Sequence, residues 1–291
     1  LQVDLLAYRD KTVKNGDAGD AVALSIEGPA AQKLERKEGA WKFVSNSSIE
    51  ADGAAARSVA ELVAEAKVER FVADRAEAAH GFAAPYAKVT ARFEKKSPDG
   101  KPADKSGEPE SATLEIGAPA GDDGSRYARF AGEGLVFVLK KESVALVAQP
   151  LASRDLISVD PSELVKVAIA ANGTTVTATR EGETWKADNT SIDGKELERR
   201  IGELGALRAI RGEAFGAAVG FEAPALKIEA WTQKQLDEKA EPTALSFGAK
   251  TADPKENGYT ARKSGADVTM IVPARLVDEI IALMPAPPAQ P

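Results

Sequence analysis

Four features of this 291-residue chain carry residue types that could do chemistry. His80, the only histidine, could act as a general base. The stretches NGDAGD (15–20) and GDDGS (121–125) gather carboxylates that could ligate Ca²⁺. Trp41 and Trp185 each lie beside a lysine and could stack on a sugar ring. The lysine-rich stretch 94–110, EKKSPDGKPADKSGEPE, is longer than a hairpin needs and could be a contact site.

Each feature has a plainer reading, and the residues favour it. His80 precedes a Gly-Phe-x-x-Pro turn, where it would cap or pack. The acidic stretches lack the EF-hand spacing and its distal Glu, and Asp and Gly are ordinary turn residues. A tryptophan in a strand is usually an anchor that buries a large apolar area. A long polar loop is usually solvated.

Other chemistry is excluded by what the chain lacks. With no cysteine there is no disulfide, thiolate nucleophile or Cys-ligated metal or cluster. One histidine cannot supply a two-His metal site. No GxSxG, phosphate-loop or SxxK-type motif occurs. The glycines of FAGEGLVF (130–137) lack the dinucleotide spacing, and ANGTTV (171–176) reads as an Asn-Gly hairpin. A net charge of −7 argues against nucleic-acid partners. The sequence therefore assigns no catalytic, cofactor-binding or metal residue, and the expectation is a non-enzyme. No run of 18 apolar residues is present. Leu1 in place of Met suggests that a native start, with a signal peptide or anchor, has been removed.

The elements that would position these residues occur twice. HGFAAPYAKV (80–89) answers VGFEAPALKI (219–228). ATLEIGA (112–118) answers TALSFGA (243–249), and Tyr127 answers Tyr259. Upstream, Trp41 answers Trp185, SIEADG (48–53) answers SIDG (191–194), and Arg9-Asp10 answers Arg154-Asp155. These landmarks keep their order, which reads as a tandem duplication meeting near residue 150.

The expected fold class is therefore α+β, with units at 1–150 and 151–284 and a Pro-rich tail at 285–291. Each unit should hold a largely antiparallel sheet of six or seven strands. Period-two alternation marks AKVTARF (87–93) and ALKIEAW (225–231), among others. One amphipathic helix should present Val59, Leu62, Val63 and Ala66 in the first unit, and Leu197, Ile201, Leu204 and Leu207 in the second. Asp52 and Asp193 stand at the N-cap, with Glu196 placed to complete a capping box. Short closing helices are expected at 140–149 and 274–284. Gly-Phe-x-x-Pro should be the turn leading from helix back to sheet, with Gly supplying positive φ and Pro barring a helix. The segment 232–242 is expected to be a polar loop.

This set of residues resembles a bacterial family, domain of unknown function 4340. The likeness rests on Arg9-Asp10 and Arg154-Asp155, on Trp41 and Trp185, and on the turns Gly81–Pro85 and Gly220–Pro224. LEIGA with LSFGA, and Tyr127 with Tyr259, complete it. The family turn usually reads Tyr-Gly-Leu-x-x-Pro; here Phe replaces Leu, and His80 or Val219 replaces Tyr. The resemblance implies a membrane-anchored protein facing away from the cytosol, often encoded near ABC-type transport or gliding-motility components, and it carries no catalytic residues. The expectation is a non-catalytic scaffold or adaptor, periplasmic or extracytoplasmic, tethered to the inner membrane and bound to transporter or envelope proteins. The alternative is a glycan- or peptide-binding protein using the groove between the repeats.

Overall fold

The computed structural model describes residues 10–14, 16–46, 48–94, 110–157, 160–188, 192–216, 220–253 and 255–286. Arg9, Val219, nearly all of the 94–110 stretch and the end of the tail lie outside the described residues. The chain divides into two compact units, Leu1–Ala152 and Ser153–Pro291.

The first unit begins with β1 (Thr12–Lys14) and a 3-10 turn (Ala18–Asp20). Three strands follow in succession: β2 (Ala21–Glu27), β3 (Gln32–Lys37) and β4 (Ala40–Phe43). Helix α1 (Gly53–Ala64) and β5 (Glu65–Lys67) lead to β6 (Arg70–Ala73). The unit ends with β7 (Ala87–Phe93), β8 (Glu110–Pro119), β9 (Arg126–Phe130), β10 (Val136–Leu139) and α2 (Lys141–Val147). Eight of the strands form one sheet, in the order β4-β3-β2-β7-β8-β9-β10-β6, with every pairing antiparallel. β1 pairs separately with β5.

The second unit repeats this order. It runs β11 (Leu164–Ala171), β12 (Thr174–Glu181), β13 (Thr184–Ala187), α3 (Gly194–Gly205), β14 (Arg211–Phe215) and β15 (Leu226–Thr232). Then come α4 (Gln233–Asp237), β16 (Thr243–Lys250), β17 (Gly258–Lys263), β18 (Val268–Pro273) and α5 (Ala274–Leu283). Its sheet reads β13-β12-β11-β15-β16-β17-β18-β14, the same path position for position. In place of the β1–β5 ladder stands a single bridge, Asp155 to Arg208. The fold class is thus α+β, in two similar units.

Eight strands per sheet exceed the six or seven expected. The added strands are β6 and β14, which follow each helix and join the far edge of the sheet, beside β10 and β18. Helix α1 therefore connects two strands on opposite edges. It lies over one face, against β2, β4, β7 and β8. That face is the core: Ala87, Val89, Ala91 and Phe93 of β7 are buried, whereas Lys88, Thr90 and Arg92 point to the uncovered side. Leu24, Leu34, Leu114 and Ile116 complete the buried layer.

Both helices start where the acidic caps predict. The Asp52 carboxylate accepts from Ala55 N–H at 2.9 Å, and Asp193 accepts from Lys195 N–H at 2.8 Å. The capping box at Glu196 does not form. Its carboxylate is taken by Arg199 at 2.6 Å and Arg200 at 2.8 Å, stronger charge-assisted partners than a backbone amide. Ala66 and Leu207 are buried as expected, but beyond the helix ends. The expected loop 232–242 contains α4, because Thr232 and Gln235 cap each other's backbone and nucleate a turn. Asn172 and Gly173 both have positive φ, 53° and 72°, and close the β11–β12 hairpin. Gln32 is buried with its polar atoms satisfied: its amide donates to the Ala30 and Gln149 carbonyls at 3.0 Å each, and its oxygen accepts from Leu151 N–H at 2.8 Å.

Two sequence motifs meet in each unit. A Cβ at Gly117 would lie 2.1 Å from the His80 carbonyl oxygen and 3.1 Å from the Phe82 ring. A Cβ at Gly248 would lie 2.6 Å from Thr260 Oγ1, 2.9 Å from the Gly220 carbonyl oxygen and 3.5 Å from the Phe221 ring. The Gly-Phe-x-x-Pro turn thus rests directly on the glycine of the next strand.

The core of the second unit's helix is partly ionic. Arg200, buried on α3, reaches Glu196, Glu203 and, on α5, Glu279. Arg199 holds Glu196 below the ordinary Glu range, and Arg275 together with Arg200 does the same for Glu279. A carboxylate lowered in the folded state stabilises the fold above its unfolded pKa, and that stabilisation is lost as pH falls through the folded value.

Two predictions follow from these contacts. Gly117→Ala and Gly248→Ala should each cost about 2 kcal/mol or more through backbone displacement, read as a lower urea midpoint at constant slope. Gly202→Ala, in α3 with open space around the new methyl, should instead add about 0.5–1 kcal/mol. For the ionic clasp, the urea midpoint should fall as pH drops below the ordinary Glu value of 4.5. Glu279→Gln should flatten that acid limb; an unchanged limb in the variant would show that the clasp does not set it.

Candidate functional site

His80 ends a 3-10 turn, Ala78–His80, and is buried. Its Nδ1 accepts the Glu77 N–H at 2.9 Å, which commits one ring nitrogen to the backbone. Its ring meets Tyr127 edge-on, with centroids 4.8 Å apart. This is a structural setting for a histidine. The next residue, Gly81, has φ 77°, the conformation that the turn demanded of a glycine. Arg129 lies 4.6 Å over the Phe82 ring and pairs with the buried Glu115 at 2.7 Å. Arg126 stacks 3.7 Å over Tyr86 and donates to the Gly117 carbonyl at 2.9 Å.

The acidic stretches serve turns. Asp17 accepts from Gly19 N–H at 2.7 Å and caps the 3-10 turn that precedes β2. Asp123 accepts from Ser125 N–H at 3.0 Å, and Ser125's hydroxyl and amide hold its carboxyl below the usual range. Among the described residues no three His, Asp or Glu side chains gather around a point where a cation could sit. The glycines of 130–137 are also conformational: Gly132 has φ 84°, and a Cβ at Gly134 would lie 2.6 Å from the Asp74 carbonyl oxygen.

The tryptophans part company. Trp185 is only 6% exposed, so it offers no stacking face. Trp41 is half-buried on the edge strand β4. Asp155 of the second Arg-Asp pair forms an exposed ion pair with Arg208 at 2.8 Å, beside the bridge those two residues make.

One polar device recurs in both units outside the matched motifs. Arg36 pairs across the ladder with Trp41, and Arg180 with Trp185. Arg36 donates to the Gly19 carbonyl at 2.9 Å, and Arg180 donates to the Ser162 carbonyl. Both acceptors belong to the 3-10 turn that starts the sheet, Ala18–Asp20 or Pro161–Glu163. The legible signal was an Arg five residues before each Trp, in RKEGAW and REGETW.

Two concavities in the first unit could hold a ligand. A cleft of about 640 Å³ lies where α1 meets the β1–β5 ladder, lined by Asp17, Arg57, Ser58, Glu61, Lys67 and Ser143, among others. Arg57 and Glu61, one turn apart on α1, pair at 3.1 Å. The cleft's hydroxyl and charged side chains suit a polar ligand. A smaller recess of about 200 Å³ opens on the uncovered face of the sheet, around Ala23, Ser25, Lys33, Val44, Thr90 and Arg92.

The setting of His80 yields a test. His80→Val, the residue before the same turn in the second unit's sequence, should cost about 1–3 kcal/mol by leaving the Glu77 N–H without its acceptor. Unfolding of the variant in urea reads this; a change under about 0.5 kcal/mol would show that the buried bond contributes little.

No curated protein and no solved structure matches the chain. A family model described as a domain of unknown function, DUF4340, matches residues 41–212, one span that starts at Trp41 in β4 and ends at Gly212 in β14. With more than half of its length matched, the chain belongs to the DUF4340 family.

Proposed function

We propose that the chain is a duplicated α+β unit acting as a non-catalytic scaffold or adaptor. In this reading it faces away from the cytosol, is tethered to the inner membrane in its full-length form, and holds transporter or envelope proteins. The supporting observation is what recurs and what does not. Both units keep one strand order, the N-cap aspartates, the Arg–Trp strand pair and the glycine under the turn. Their other polar clusters differ. The first unit has His80 against Tyr127, with Arg129 on Glu115. The second ties Tyr259 to Asp278 at 2.7 Å and Lys250 to Asp278 at 2.9 Å. Selection that preserves a frame while its polar groups drift fits a protein used for its surfaces. The membrane setting comes from the family resemblance.

A second reading, a peptide-binding protein, is favoured by the apolar recess on the first sheet. It is compatible with the first, since an adaptor also binds polypeptide.

Affinity capture tests the adaptor reading. The full-length tagged protein, isolated from native membranes in mild detergent, should bring down a transporter or envelope component in fixed stoichiometry. Recovery of the protein alone, with or without prior cross-linking, would sink it.

A further inference from the structure

The uncovered face of the first sheet has a small-residue floor. In one cross-strand row Lys33 faces Ser25, which faces Thr90, which faces Thr113. In the next row Glu35 faces Ala23, which faces Arg92. Ala23, Ser25 and Thr90 leave a recess of about 200 Å³ between the longer side chains. A cavity of about 150 Å³ is enough for a benzene ring. At its rim Val44 is 52% exposed, the most exposed large apolar side chain among the described residues. Thr90 and Thr113 hydrogen-bond each other through their hydroxyls at 2.9 Å, so each keeps one partner beneath an apolar occupant.

The second unit shows what fits there. Its strands pair Lys166 with Trp231 where the first unit pairs Ala23 with Arg92. The Lys166 ammonium lies 4.8 Å from the centre of the Trp231 ring. The fold thus accommodates an indole beneath a cation at this position on the open face, and the first unit omits the indole.

Charge narrows the occupant further. Glu35 is engaged by Lys37 at 3.3 Å. The side-chain charges of Lys33 and Arg92 have no hydrogen-bond or ion-pair partner among the described residues. Two uncommitted cations therefore flank an apolar recess in a chain of net charge −7. We propose that the recess seats an aromatic side chain of a partner polypeptide, flanked in that partner by acidic residues. The ring would lie against Ala23, Ser25 and Val44 under the Arg92 guanidinium, in the manner of Arg126 over Tyr86. The flanking carboxylates would meet Lys33 and Arg92. This deepens the adaptor reading and rests on it.

The test uses the whole chain and a defined probe, acetyl-Asp-fluorotryptophan-Asp-amide, followed by fluorine NMR. Its resonance should broaden and shift on titration. The Lys-flanked analogue should bind about tenfold more weakly or worse, because its charges are repelled. Ala23→Lys/Arg92→Trp transplants the second unit's pair, closes the recess, and should weaken the Asp-flanked probe at least about tenfold while the thermal midpoint holds. Lys33→Glu/Arg92→Glu changes only exposed side chains and should reverse the flank preference. Equal binding to wild type and transplant, a preference unmoved by charge reversal, or no binding to wild type would each overturn the proposal. Concentration-dependent self-association abolished by the transplant would overturn it too, by assigning the recess to a second copy. Capture from native membranes separates the two readings. Equal partner recovery by wild type and transplant removes the recess and leaves the adaptor standing, whereas recovery of no partner by either removes the adaptor.

Discussion

The contact between a side-chain-free strand position and the turn above it governs both units. Gly117 and Gly248 admit the backbone and the phenyl ring of a Gly-Phe-x-x-Pro turn where any other residue would place a Cβ. The turn immediately precedes β7 or β15, and the glycine sits in the neighbouring strand, β8 or β16. Seating one on the other sets where the two strands begin to pair: Ala87 opposite Ile116, Leu226 opposite Phe247. Those pairs lie on the core face. A slip of one residue would send Val89 and Ala91 to solvent and Lys88 and Arg92 inward. The phrase recurs in the sequence because it holds register at the centre of each sheet, and the matching glycine recurs because the phrase needs a seat.

Much of this frame was legible. Alternation marked β7 and β15, Asn172-Gly173 announced its hairpin, and Asp52 and Asp193 marked the helix starts. What escaped depended on distant partners. β6 has only four residues, Arg70–Ala73, and its place at the sheet edge is set by β10, more than sixty residues later. Nothing local in RFVA distinguishes an edge strand from a loop. Glu196 looked like a capping-box residue until the arginines three and four positions on competed for it. The candidate sites divided the same way. His80 was readable as a turn residue from its neighbours. The recess needs Lys33, Ser25 and Thr90 side by side, and three strands separated in sequence bring them there.

The units solve one packing problem with different chemistry. Seven residues after each N-cap, α1 carries Val59 and α3 carries Arg200, and both are buried. Val59 is supported by Ala56, Ala60 and Val63 and needs only apolar neighbours. Arg200 needs carboxylates, and Glu196, Glu203 and Glu279 supply them. Their equivalents on α1, Ala55 and Leu62, could not. A buried guanidinium is tolerable only with such partners, so the two units differ at several positions together. It ties α5 to α3 through charge, whereas α2 packs on α1 without an ion pair among the described residues.

The uncovered faces differ as well, with a different consequence. On the helix side, any change must still fill the core, and the burial of both Val59 and Arg200 shows that both solutions do. On the open side no helix constrains the residue. One unit covers its floor with Trp231 beneath Lys166, and in the other Ala23 and Arg92 line a recess. An apolar floor left uncovered gains nothing for folding, since burying a ring there would stabilise the sheet as it does in the second unit. Its retention beside two uncommitted cations is what a surface kept for another molecule would look like. The frame that fixes register thereby also fixes the spacing of those cations, because Lys33 and Arg92 are held by the ladders that the turn-and-glycine contact sets in place.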